Sequence, residues 1–304
     1  MDKILDKMHY RRAFFSVVLL LLVNLIIIRF GVLPNFDPGL NTNFFGMLGL
    51  MINSLIISMI VTVFVGSFVF WFTPNIVKIS NIEVVSSKEI NPMLKGSTSD
   101  SRSWIYKGAC GRFVRSTTLP NMADTARNAG LGRDISIYLL NPQNEMACAE
   151  YAVYRRSLKS ANNAAEWTTE RVQDEVIATA LTAMKYSYLE PLLRINVYFV
   201  NHFSAFRLDI CDKYVLVTKE DKEASALKAD AGTYFFDSYK DDVRLTERQS
   251  RKLECCGKII PAEKINPAMG VEMMKCASLY LEGKMDDPRV ERICNYVNTP
   301  KSPY

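Results

Sequence analysis

The chain has 304 residues, 49% hydrophobic and 23% charged, with a formal net charge of +5 and a mean hydropathy of +0.01. This composition excludes a disordered, highly charged chain. At about 100–200 residues per domain, the length allows one large domain or two ordinary ones. The charges are unevenly placed: between Ala13 and Thr73 only Arg29 and Asp37 are charged. An apolar segment is therefore joined to a polar one.

Residues 1–12 are a short basic N-terminus carrying Lys3, Lys7, Arg11 and Arg12. Residues 13–33 are 21 residues interrupted by one charge, Arg29. About 20 residues at ~1.5 Å each cross a bilayer core. Residues 44–72 are 29 residues without a charge, enough to cross with tilt. We read two membrane helices, 13–33 and 44–73, joined by a tight polar turn at 34–43 (PNFDPGLNTN). A cleaved signal peptide would share the basic start. The apolar run is too long for one, no small-residue cleavage site follows, and a second span comes at once. Two buried core helices are a further alternative, against which the 29 uncharged residues in a row weigh. Lys78 follows the second span, so the positive-inside rule places both ends in the cytoplasm and the turn outside.

Arg29, about a turn from the outer end, is expected to snorkel to the headgroups. Asn24 and Asn53 are expected to hydrogen-bond between the helices. Ser54, Ser58, Thr62 and Gly66 recur every four residues and give span two a small-residue face. That face suits packing against span one, or self-association of several copies into a homo-oligomeric bundle.

Beyond residue 76 the net charge is +3, short of the clustered basic stripe of a nucleic-acid binder. Residues 74–103 read as a linker, with 86–103 rich in Ser, Lys and Asn. Residues 104–304 read as a cytosolic α/β domain. The clearest strands are 135–141 (ISIYLLN) and 195–201 (INVYFVN), which resemble each other residue for residue at a spacing of 60. Residues 206–211 and 214–218, split by Asp212-Lys213, predict a hairpin. Residues 112–115 are a further strand candidate. Helical patterns cover 120–129, 145–158 and 167–189. In the last, Thr169-Glu170 and Asp174-Glu175 suit a helix N-terminus. Residues 245–280 read as helical pieces broken at Gly257, Pro261 and Pro267. After Asp286-Asp287-Pro288 no further element is expected. Strands alternating with helices argue an α/β architecture.

Seven Cys (110, 148, 211, 255, 256, 276, 294) contain no CxxC pair. On the cytoplasmic side such thiols stay reduced, and without CxxC spacing or nearby His a zinc site is not expected. No phosphate-binding, dinucleotide-binding, hydrolase or metalloprotease motif occurs, so no cofactor is implied. His-dependent catalysis would rest on His202, since the other His, His9, adjoins the first span.

Residues 205–217 (AFRLDICDKYVLV) resemble the core strand-turn-strand of phospholipase D-like domains. Residue by residue, Ala205 falls at that family's nucleophilic His, Arg207 at its Lys and Asp212 at its Asp. The resemblance covers roughly residues 104–218. Without the imidazole it implies a degenerate site that binds a phosphorylated ligand and does not cleave it. Arg207 would supply a fork suited to phosphate, Asp212 would orient it, and Asp209 lies between them. A plain Arg–Asp pair closing a turn is the structural alternative. A second anion-site candidate is 107–120 (KGACGRFVRSTTLP), where Arg112 or Arg115 would join helix N-terminal amides, with Pro120 near the first turn. An ordinary strand-to-helix loop is its alternative.

The whole plan resembles the two-transmembrane effectors of bacterial antiphage systems, including those encoded beside retron reverse transcriptases. That resemblance implies a non-enzymatic protein of the cell inner membrane whose helices damage the bilayer when triggered. Its partners would be the lipid bilayer, further copies of itself, and a reverse transcriptase–nucleic acid complex or another cytosolic regulator. A membrane-anchored phosphodiesterase or nuclease using His202 with Asp209 or Asp212 is the competing expectation.

Overall fold

The computed structural model describes residues 8–36, 43–72, 82–159, 166–221, 223–254, 261 and 263–301. The chain divides into two compact units, Met1–Val77 and Lys78–Tyr304. Lys3, Lys7, most of the expected turn (37–42), Lys78, Cys255, Cys256 and Gly257 lie outside the described residues.

In the first unit, helix α1 (Met8–Ile27) runs through a π-helical turn (Ile28–Val32) into α2 (Leu33–Phe36), and α3 spans Asn43–Phe72. Pro34, assigned above to the turn, is therefore still helical. The stretches Ser16–Phe36 and Phe44–Phe68 are long and apolar enough to cross a membrane. Only 6% and 17% of their apolar windows are buried, unlike the core helix of a soluble protein.

The polar residues of these helices are deployed differently from the expectation. Arg29 donates from Nε to Asn53 Oδ1 on the other helix at 2.9 Å. Its guanidinium also covers Gly49, where an added Cβ would sit 3.6 Å from Cζ. So Asn53 bonds between helices as expected, and its partner is the arginine assigned above to snorkelling. Asn24 instead donates to the Leu20 carbonyl of its own helix, which satisfies the amide one turn away. On α3 the covered positions from Gly49 onward are Gly49, Ile52, Asn53, Ile56, Met59, Val63 and Gly66, at helical spacing. Ser54, Ser58 and Thr62 are exposed, while Gly66 is half-buried. Ser54 and Thr62 bond back to the carbonyls of Leu50 and Ser58. The Ser54–Ser58–Thr62 stripe thus does not pack on span one of the same chain. Sequence spacing could not decide which of two opposite faces the partner helix covers.

The second unit is a mixed α/β domain built on one eight-stranded sheet. Its strands are β1 (Ile82–Val85), β2 (Ser103–Lys107), β3 (Arg133–Leu140), β4 (Leu193–Val200), β5 (Phe206–Cys211), β6 (Tyr214–Lys219), β7 (Ala226–Asp230) and β8 (Arg251–Lys252), in the order β1-β7-β6-β5-β2-β3-β4-β8. Strands β2, β3 and β4 are parallel; every other pairing is antiparallel. The spacing of 60 seen in the sequence is the register itself: Ile135 pairs with Ile195, Ile137 with Val197 and Tyr138 with Tyr198. Matching residues therefore occupy the same face of neighbouring strands.

Both faces of the sheet are covered. Ile135, Ile137 and Leu139 of β3 point into the larger core, while Tyr138 joins a smaller one with Leu208, Val215, Val217 and Phe236. The larger core centres on α7 (Thr169–Leu189), in which every residue from Val172 to Met184 is buried. Thr168 caps it, its side chain accepting from Arg171 N at 3.1 Å. The helices α5 (Leu119–Ala129), α6 (Glu145–Ser157), α9 (Pro267–Cys276) and α10 (Asp287–Asn298) contribute to the same core. The smaller core is closed by α8 (Tyr234–Arg248), tied to the sheet by Lys107, which donates to Asp242 at 2.7 Å and Thr246 at 2.8 Å.

Several expectations need correction. Residues expected to be a linker form β1 and α4 (Ser87–Asp100), because Ile90 and Leu94, one turn apart, are buried. Residues 112–115 begin a helix and are not a strand: Arg115 N bonds to Gly111 O at 2.9 Å. Pro120 lies eight residues into this helix, one residue beyond a π-helical turn (Val114–Thr118) that loosens the backbone before a residue lacking an N–H. Asp286-Asp287-Pro288 starts a helix, since Asp286 caps Arg289 N at 3.0 Å and proline fits the first turn. Pro267 likewise opens α9 behind the Asn266 cap.

Candidate functional site

Parallel strands β2, β3 and β4 end at Lys107, Leu140 and Val200 on one edge of the sheet. Strand β2 has β3 on one side and β5 on the other, so the chain order reverses there. Open α/β sheets bind ligands outside the carboxyl ends of the strands at such a switch. A cavity of about 40 Å³ lies at this place, lined by the segment after β2, by α6, by Trp167 and by the adjoining ends of β5 and β6.

The segment after β2 turns on two glycines. A Cβ at Gly108 would collide with the Tyr106 hydroxyl and lie 3.3 Å from Arg207 Cγ. Gly111 has φ +67°, and a Cβ there would sit 2.8 Å from Thr179 Cγ2. These two positions let the chain pass over β2 and start a helix at Arg112.

Four cationic side chains line the cavity: Arg112, Arg155, Arg207 and Lys219, with Glu220 and Asp221 as acids. Arg207 is buried, 5.4 Å from the Phe113 ring centre and paired through Nε with Asp209 at 2.6 Å. Burial pushes the Asp209 carboxyl pKa above its ordinary value, against the pull of Arg207. Arg155 donates to the Glu220 carbonyl at 2.7 Å and its carboxylate at 3.1 Å. Burial opposes its charge, yet the carboxylate raises its pKa overall. Arg155, Arg171 and Arg112 surround the Trp167 ring at 4.4, 5.0 and 5.8 Å. Arg112 also lies 3.4 Å from Glu175. Burial holds the Cys110 thiol protonated well above its ordinary range, so this wall residue is a poor nucleophile.

A second, larger cleft of about 480 Å³ meets the cavity at Arg112, which lines both. Its wall includes Arg171, Asn295, Tyr296 and Lys301. Arg115, at its base, is buried: it bonds to the Glu175 carboxylate at 2.5 Å, the Glu175 carbonyl at 2.9 Å and Thr179 at 3.1 Å. Glu175 is itself buried. Next to it, Asp174 holds Arg289 at 2.7 Å and Arg292 at 2.8 Å from α10. Burial raises the Asp174 pKa, and the two guanidiniums oppose it. Thus Asp174 and Glu175 do more than favour a helix start.

The sequence-expected residues are only partly brought together. Arg112 and Arg207 share the cavity. Arg115 is committed to Glu175 and contributes no accessible charge to a ligand. Asp212 does not orient Arg207: it lies in the β5–β6 turn, at the opposite edge of the sheet, and accepts from Arg102 N at 2.6 Å. The strand alternation supplies the reason, because residues 207 and 209 share a face. His202 is exposed in the loop after β4. Arg155, Trp167 and Lys219 were missed; an Arg-Arg pair at 155–156 and a base at a strand end were their faint signals. Among the described residues no group of His, Cys, Asp and Glu could hold a metal. Cys276 is disulfide-bonded, contrary to the expectation that all thiols are reduced, while Cys110, Cys148, Cys211 and Cys294 are free and buried as expected. No family model matches the chain, and no curated protein matches it in sequence.

Proposed function

We propose that this protein is an inner-membrane effector of bacterial antiphage defence. Its α/β unit, a degenerate phospholipase D-like domain, takes the signal without catalysis, and its two helices permeabilise or depolarise the membrane. Both helices cross the bilayer, with both termini in the cytoplasm. The observation that carries this reading is the placement of Ser54, Ser58 and Thr62 on the exposed face of α3. Small residues let helix backbones approach closely, so that face suits contact with further copies while Arg29 and Asn53 satisfy each other within each hairpin.

Expression in bacteria with a potential-sensitive dye tests the reading. Loss of membrane potential is expected under triggering conditions, and Ser58→Leu or Thr62→Leu should abolish it without lowering the amount of protein in the membrane. Membranes that stay sealed, or damage indifferent to both substitutions, would overturn it. His202→Ala should leave toxicity unchanged, since the competing phosphodiesterase reading depends on that imidazole.

A further inference from the structure

Arg29 is the one charged residue in the two apolar stretches Ser16–Phe36 and Phe44–Phe68. It stands seven residues from Phe36, about 10 Å along a helix that rises ~1.5 Å per residue. Its acceptor Asn53 stands nine residues from Phe44, about 14 Å by the same count. When both stretches span, the pair lies well inside a hydrocarbon core about 30 Å thick. The bond to Asn53 takes the Nε–H at 2.9 Å. Nη1 and Nη2, which carry the other four of the five guanidinium N–H groups, have no acceptor among the described residues. Neither atom is sealed by protein, and the residue is half-buried. Gly49 backs the group, with an added Cβ 3.7 Å from Nη2, and the Phe30 ring centre lies 5.4 Å from Cζ. The fork is thus held on its inner side while its outer edge stays open. Neither Asn53 nor Phe30 offers a negative charge, and no carboxylate lies in either stretch. A charge at this depth is costly in lipid, and such residues face a bundle interior or a water-filled space beside a partner. The countercharge has to come from outside the hairpin.

We propose that Arg29 binds a small inorganic anion of the chloride class at Nη1 and Nη2, and that in the assembled bundle it makes the path through the membrane anion-selective. One monovalent anion balances the one guanidinium charge and accepts charge-assisted hydrogen bonds from both Nη groups at once. A lipid headgroup phosphate lies beyond the hydrocarbon edge, about 10 Å away by the same count, and the bond to Asn53 keeps the side chain from reaching it. Rings of arginine or lysine select anions in channels. Anions leaving the negative interior of a cell depolarise it, so the site names the ion that carries the damage. The selectivity rests on the proposed permeabilisation, whereas the anion site rests on Arg29 and its neighbours alone.

Chloride nuclear magnetic resonance on the purified full chain in an uncharged, phosphate-free detergent tests the site, because bound chloride broadens the line of the exchanging pool. The parent should show a saturable broadening. Arg29→Gln should abolish it, Arg29→Lys should keep part of it, and Lys88→Gln, at an exposed position of the α/β unit, should leave it unchanged. Far-ultraviolet circular dichroism of the variants should match the parent. No saturable broadening, equal broadening in folded Arg29→Gln, or equal loss in Lys88→Gln would overturn the inference. Displacement of the chloride by a small admixture of phosphatidylglycerol would also overturn it, since the ligand would then be a headgroup. Planar bilayers of zwitterionic lipid under a potassium chloride gradient test the selectivity. Chloride should permeate roughly tenfold or more faster than potassium, and Arg29→Gln should remove that preference; a potassium-selective current in the parent would overturn it. Bilayers that stay sealed would count against permeabilisation and leave the bound chloride standing, and absence of bound chloride leaves permeabilisation to its own test.

Discussion

Tyr138 and Tyr198 stack with ring centres 4.8 Å apart and planes within 9°, and both hydroxyls donate to the one carboxylate of Glu247, at 3.0 and 2.8 Å. The pair arises because β3 and β4 are matched at a spacing of 60, which puts like residues side by side. Glu247 lies near the end of α8, so the two phenols tie that helix to the sheet. Replacing Glu247 by Ala should therefore destabilise the α/β unit by about 1–3 kcal/mol, the cost of leaving polar groups without their charged acceptor. Urea unfolding of the full chain, followed by far-ultraviolet circular dichroism, would measure it. In Tyr138→Phe/Tyr198→Phe the same Glu247→Ala change should cost much less, because no donor is left behind.

The Arg115–Glu175 pair gives a sharper contrast. Both groups are buried, and Arg115 also holds the Glu175 carbonyl and Thr179. Removing only the carboxylate, in Glu175→Leu, leaves an uncompensated guanidinium and should cost about 3–5 kcal/mol. Arg115→Met with Glu175→Leu removes both charges and should recover most of that loss. Denaturation midpoints of the single and double variants decide it; equal losses would show that packing, and not the unpaired charge, dominates.

These relationships differ in how far the sequence reveals them. The β3–β4 pair was legible because a residue-for-residue similarity at constant spacing becomes a strand register. The β5–β6 hairpin was legible because alternation stops at Asp212-Lys213 and resumes. Helix α10 was lost because Asp-Asp-Pro was read as a stop, although a capping acid before proline is equally a start. Helix α4 was lost because its buried positions include Ser97 and Thr98, which suggest a linker. The site was half legible. Arg112 and Arg207 could be named from local context, yet Arg155 and Lys219 reach the same cavity only through the packing of α6 and β6 around β2.

Tyr214 supplies a prediction in pH. Its hydroxyl lies 2.5 Å from the Ser97 hydroxyl and donates to the Met93 carbonyl at 3.0 Å, fastening β6 to α4. Burial pushes its pKa up to about 12, and the Ser97 hydrogen bond partly offsets this. A phenol whose folded pKa is raised contributes its stability in full below its unfolded pKa, about 10. That contribution falls as pH rises toward about 12. Tyr214→Phe should thus be less stable than the parent at neutral pH, with the difference shrinking across this alkaline window. Urea midpoints at a series of pH values would show it; a constant difference would mean that the hydroxyl does not titrate in that window.

Arg29, Gly49 and Asn53 form the polar seam of the first unit, and they respond to substitution in distinguishable ways. Asn53→Leu removes the acceptor of the 2.9 Å bond and leaves the charge of Arg29 among apolar neighbours. Hydrogen bonds between membrane helices average about 0.6 kcal/mol and reach about 1.7, so stability in detergent should fall within that range. Gly49→Leu acts by volume: its side chain would occupy the space over which the guanidinium lies, 3.6 Å from Cζ. It should expel Arg29 from the seam even with Asn53 present. In an Arg29→Leu background both substitutions should cost less, because without the guanidinium Gly49→Leu no longer evicts a charge and Asn53→Leu no longer strands one. A double-mutant cycle in detergent-induced unfolding reads both couplings. If each substitution costs the same with Arg29 and without it, the seam contributes packing alone.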